Sequence, residues 1–84
     1  MRLTTKGKYA VTALLDLSLH QSAKDFIALS QIAERQAMPI SYLEQLFRNL
    51  RKSGIVQASR GPKGGYRLSR PSTEINISEV VASV

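Results

Sequence analysis

Apolar residues recur along this chain at helical spacing in its first two thirds and with partial alternation after Gly54. Over 41–52, Leu43, Leu46, Phe47 and Leu50 stand at i, i+3, i+4 and i+7, which gathers all four on one face at a 3.6-residue period. Ser41 and Glu44 have capping-box spacing, in which the hydroxyl satisfies a free backbone N–H and the carboxylate reaches back. Gly54 ends the run behind Arg51 and Lys52, cations placed where the helix dipole favours them. The pattern predicts a helix over 41–53. Its polar face carries Ser41, Gln45, Arg48 and Lys52, with Glu44, Asn49 and Arg51 beside it.

Upstream, a helical pattern begins near Lys6 and Lys8 and runs roughly to Ser22. Ala10, Val11, Ala13, Leu14, Leu15, Leu17 and Leu19 give it a wide apolar face with Thr12 and Asp16 as a polar edge, the signature of a central helix covered by others. The polar stretch 21–25 reads as a loop, and Phe26-Ile27-Ala28 as a minor strand. Ser30 is placed to cap a short helix over 31–36, with Ile32 and Ala33 facing inward. Pro39 then drives the residue before it out of helical geometry. Short helix, tight break and longer amphipathic helix make a helix-turn-helix.

Past Gly54, 55–59 and 66–69 read as two strands around Arg60-Gly61-Pro62-Lys63-Gly64-Gly65, a loop with two cations and three glycines. A tight, cationic hairpin directly after a helix-turn-helix is a wing. Residues 71–74 read as a linker. Asn76 and Glu79 again have capping spacing ahead of Val80, Val81 and Val84, the first turns of a further helix. The expected fold class is mainly α with a small β-hairpin, a winged helix-turn-helix over 1–75, followed over 76–84 by the start of a truncated helix.

Charge sharpens this picture. Twelve Lys and Arg against six Asp and Glu give a net charge of +6, which suggests a polyanionic partner, nucleic acid before membrane surface. Polar and cationic groups on the exposed face of a helix reach base edges and phosphates in a major groove, and an Arg on a tight hairpin enters a narrow minor groove. Lys6 and Lys8 are either phosphate contacts or a solvated helix end. No apolar run approaches the length of a membrane span and no leader precedes the first helix, so the expected compartment is the cytoplasm.

Catalytic chemistry finds little to stand on. Gly61-Pro62-Lys63-Gly64-Gly65 lacks the Gly-Lys-Ser/Thr ending of a phosphate-binding loop. His20 is the sole histidine, the six acids are scattered, and the absence of cysteine excludes disulfides and thiolate-bound metal within these 84 residues. No enzyme is expected. Phe47 reads as core, and Tyr42 as either core edge or phosphate contact.

Three blocks carry a family resemblance. Met1-Arg2-Leu3-Thr4 with Lys6-Gly7-Lys8-Tyr9-Ala10, then Ser41-Tyr42-Leu43-Glu44-Gln45-Leu46-Phe47, then Arg60-Gly61-Pro62-Lys63-Gly64-Gly65-Tyr66 closely resemble the Rrf-type bacterial transcriptional regulators. The resemblance implies a factor that is dimeric on double-stranded DNA and controls iron–sulfur cluster assembly genes, or nitric oxide stress or cysteine metabolism genes. Its half-sites would lie about 34–36 Å apart. By matching positions, Ser41, Tyr42, Glu44 and Gln45 would lie in the major groove. Glu44 would discriminate between sites by accepting from cytosine or repelling phosphate. Arg60 would enter the minor groove, with Gly61 and Lys63 near the backbone.

Two departures accompany the resemblance. Family members that sense iron–sulfur status or nitric oxide hold a 2Fe–2S or 4Fe–4S cluster through cysteines beyond the wing, so a cluster is expected only if a cysteine-bearing C-terminal region exists. Some members also use an acidic ligand early in the first helix, where Lys8 stands here. The expected identity is therefore the DNA-reading part of such a regulator without its sensor: a fragment whose dimerisation helix begins near Asn76, or, as the alternative, a relative that has lost its sensing part. Two other classes stay open: a winged-helix module for an acidic protein partner, and a small basic RNA-binding protein, although the few aromatics leave no stacking platform for single-stranded bases.

Overall fold

The computed structural model describes residues 3–22 and 25–84; Met1 and Arg2 of the first family block, and Ala23 and Lys24 of the expected loop, lie outside the described residues. Thr4 starts the first helix, its Oγ1 accepting from the Gly7 N–H at 2.9 Å, and α1 runs over Thr5–His20. Ala10, Ala13, Leu14 and Leu17 form its buried row. The apolar face is narrower than expected: at about 100° per residue Leu15 and Leu19 fall on the side of the helix away from that row, and they are 58% and 79% exposed. Asp16, expected at the polar edge, is buried, with 3% of its surface exposed.

The helix pair follows. α2 spans Leu29–Gln36 and α3 spans Ile40–Lys52. Both expected caps need correction. Ile27 and Tyr66 exchange two backbone hydrogen bonds of 2.8 Å, which hold the chain extended up to Ala28; the helix starts at once, with Ser30 inside its first turn and no side-chain cap. At α3 the Pro39 carbonyl accepts from the N–H groups of Tyr42 and Leu43, so the helix begins at Ile40. Ser41 is then already helical and cannot act as cap, and the expected capping box with Glu44 is absent. The turn between the helices runs through Ala37 in a left-handed conformation at φ 53° and ψ 44°.

Leu43, Leu46, Phe47 and Leu50 all point into the core, joined there by Leu17, Ile32, Ile55 and Val56. Strands β1 (Val56–Ser59) and β2 (Gly65–Leu68) pair antiparallel, Val56 opposite Leu68 and Ser59 opposite Gly65. The expected minor strand at 26–28 is reduced to the single bridge from Ile27 to Tyr66. Gly65 sits at φ 150°, and a Cβ there would run into the Ile27 carbonyl. Gly65→Ala is therefore expected to cost about 1–3 kcal/mol, the usual penalty for overpacking, and to free the Ile27 and Tyr66 amides for exchange. Amide exchange at these two positions, beside a urea titration, checks this.

The stretch read as a linker holds a 3-10 turn, Ser72–Glu74. Beyond it α4 covers Ile77–Ser83, and its capping box is formed: Asn76 Oδ1 accepts from the Glu79 N–H at 2.9 Å, and Glu79 Oε2 accepts from the Asn76 N–H at 3.1 Å. Arg70 forks onto the same carboxylate and, with the Asn76 N–H, holds Glu79 below the usual range for its acid. Val80 is buried in the same core as α1 and α3, and Val81 lies over Gly7.

Candidate nucleic-acid interface

Burying Leu43, Leu46, Phe47 and Leu50 leaves the other faces of α3 in solvent. Ser41, Glu44, Gln45, Arg48, Arg51 and Lys52 are all exposed, while Tyr42 is half-buried at the edge. Tyr42 meets the ring of Tyr9 from α1 edge-on, centroids 5.5 Å apart and planes at 87°. Thr5, Tyr9, Pro39, Ser41 and Tyr42 share one shallow hollow, so the starts of α1 and α3 lie together. Lys6 and Lys8 are exposed on the first turn of α1, either side of buried Gly7. Glu44 and Arg48 face a second hollow beside the hairpin. Arg60, Gly61 and Lys63 are exposed in the turn between the strands and line neither. Gly61 has φ 100°, and its carbonyl accepts from the Gly64 N–H at 2.9 Å, which closes the tip tightly.

What aims α3 is a network that residue spacing did not reveal. Arg35, in the last turn of α2, forks onto Asp16 of α1, with Nη2 to Oδ1 at 2.7 Å and Nε to Oδ2 at 3.0 Å. Gln36 Nε2 donates to the same Oδ2 at 2.8 Å, and His20 Nδ1 lies 2.8 Å from the Asp16 carbonyl. Against the cost of burial, the Arg35 guanidinium, aided by Gln36, holds the Asp16 carboxyl below its ordinary range. The network fixes α2 on α1, and α3 inherits that placement through a turn of three residues, Ala37 to Pro39.

No group of three or more His, Cys, Asp or Glu among the described residues could hold a metal ion. With no cysteine and Lys8 in the first turn of α1, these residues do not fit an iron–sulfur cluster. No helix of the described residues is long and apolar enough to cross a membrane.

Two packed helices joined by a tight turn, the second presenting a polar and cationic face, and a cationic hairpin beside them define a winged helix-turn-helix. Residues 3–84 match the Rrf2 family model, described as "Iron-dependent Transcriptional regulator", and the chain belongs to that family. It is 56% identical over 84 residues to the HTH-type transcriptional regulator IscR of Vibrio cholerae, covering all of this chain and 48% of that protein. Against IscR of Photorhabdus laumondii identity is 54%, over all of this chain and 51% of the relative. Among solved structures, T. potens IscR superposes with a TM-score of 0.87 at 39% identity, over 100% of this chain and 61% of that one. CymR of B. subtilis, described as the global cysteine regulator, gives 0.89 at 30% identity, over 99% and 64%. The chain thus spans about half the length of the curated relatives it matches.

Proposed function

We propose that this chain is the DNA-reading domain of an IscR-type transcriptional regulator, with α3 in the major groove, the 60–65 wing in the minor groove, and iron–sulfur cluster assembly genes as its targets. The observation that carries this is one of charge. Arg48, Arg60 and Lys63 stand exposed on α3 and the hairpin tip, and none is engaged by the ion pairs of the described residues, which tie Asp16 to Arg35 and His20 and Glu79 to Arg70. Ser41, Tyr42, Glu44 and Gln45 supply base contacts and Arg60 the minor-groove contact. Gly61, Lys63, Lys6 and Lys8 meet the backbone. A homodimer would set two half-sites one helical turn apart. An iron–sulfur cluster would require cysteine ligands that these 84 residues do not contain.

Selection of duplexes from a random pool tests the reading. Arg60→Ala is expected to weaken the selected duplex by about 1–3 kcal/mol and to relax preference at one position, and Glu44→Ala to reorder the ranking of sequences. If both variants rank duplexes as the wild type does, the assignment of base contacts is wrong. Affinity should also fall steeply with salt, the logarithmic slope being about −0.9 for each phosphate neutralised. Equal affinity for any polyanion would instead favour a surface for an acidic protein. The likeness to CymR favours, as a second reading, target genes of cysteine metabolism; the sequences selected decide between the two.

A further inference from the structure

Between α3, the start of α2 and Tyr66 on the second strand of the hairpin, Leu29, Glu44, Arg48, Arg51, Lys52 and Tyr66 enclose an open hollow of about 420 Å³. Arg48, Arg51 and Lys52 stand at i, i+3 and i+4, so three cations share one helix face. The ion pairs among the described residues engage none of them, although Glu44 stands one turn before Arg48. Stabilising the end of the α3 dipole explains a cation near the last carbonyls. It does not explain why three of them line a concave wall whose other side is apolar and aromatic. Tyr66 forms that side, half-buried and held from behind by Phe47, ring centroids 5.0 Å apart. Clustered cations against a low-dielectric wall focus attraction on an anion. Three cations against the single carboxylate of Glu44 leave the hollow positive, and Glu44 confines an anion to the Arg51 and Lys52 end.

We propose that Arg51 and Lys52, with Arg48, seat the backbone phosphates of the DNA strand that separates the major from the minor groove. The inference rests on the DNA reading above. If α3 occupies one groove and the wing the next, the ridge between them is one sugar–phosphate strand, and the hollow lies between those two elements. Contacts of this kind set register and orientation and carry no sequence information of their own.

The test uses Arg51→Gln and Lys52→Gln, singly and together. Binding is measured to the duplex selected from a random pool and to a scrambled duplex of the same composition, from about 50 to about 200 mM salt. Each single change is expected to weaken both duplexes by the same several-fold factor and to reduce the salt slope by about one, the double change by about two, with the ranking of sequences intact. Lys52→Arg, which keeps the charge, should retain the wild-type slope. A slope unchanged in the double variant overturns the proposal. So does a loss confined to the selected duplex, or one that only follows a lowered thermal midpoint of the free protein. A wild type that binds neither duplex better than an unrelated polyanion overturns the DNA reading itself. The two failures are thus read on different proteins.

Discussion

Replacing Phe47 by Ala is expected to remove about 3–5 kcal/mol of stability, the usual cost of emptying a fully buried aromatic site. Phe47 has no exposed surface, and its ring lies against both the α3 core row and Tyr66 of β2. It therefore joins the helix that would read DNA to the hairpin that would flank it. A chain of 84 residues has a total stability on the order of 5–10 kcal/mol, so the loss consumes a large share. Urea titration should show a lower midpoint at similar slope if the variant still unfolds in one step. Phe47→Leu, which refills most of the volume, should recover most of the stability. A Phe47→Ala midpoint within error of the wild type would mean that the ring is not the junction described.

Asp16→Ala is expected to cost about 2–4 kcal/mol. Removing one partner of a buried ion pair costs about 3–5 kcal/mol when the other charge stays buried. The Arg35 side chain keeps 34% of its surface exposed and can return to water, which lowers the figure. Gln36 also loses its acceptor. Asp16→Asn keeps the shape but replaces one acceptor oxygen with a donor facing the guanidinium, and should fall between Ala and wild type. Acid titration gives an independent reading. The folded Asp16 carboxyl lies below its ordinary value, so its contribution is complete above about pH 4 and fades as pH falls from there through the lowered value. Glu79, held down by Arg70, acts in the same direction. The Asp16→Asn variant should lose less stability than the wild type over that acid range. Equal losses would show that Asp16 is not a source of the acid sensitivity.

The helix-turn-helix and wing are legible in the sequence because their determinants are local. Four apolar residues at helical spacing define α3, and glycines with two cations mark the hairpin tip. The exposed row on α3 follows from the same periodicity, since burying one face leaves the others in water. The bounds of α2 and α3 were misplaced by one or two residues because neither helix is started by the hydroxyl that spacing suggested. A distant bridge to Tyr66 and the carbonyl of Pro39 decide them. Asp16 is buried rather than on a polar edge because its partner lies 19 residues away, where no spacing rule reaches. Leu15 and Leu19 were assigned to the core because hydropathy gives the direction of an apolar face but not its width. The same limit hid the Tyr9–Tyr42 contact and the hollow behind Lys52, each assembled from elements far apart in the chain.

The bridge between Ile27 and Tyr66 has a kinematic consequence. With two backbone hydrogen bonds across it and no room for a side chain at Gly65, the hairpin is pinned near its turn, at the second residue of β2, to the segment that leads into α2. Without breaking that bridge the wing cannot swing away from the helix pair. The span between its tip and α3 is therefore a dimension of the backbone, as the pitch of a screw belongs to its shaft. Side chains on α3 and at the tip are then free to change what is touched at each end, while the gauge between the two points of contact stays the same.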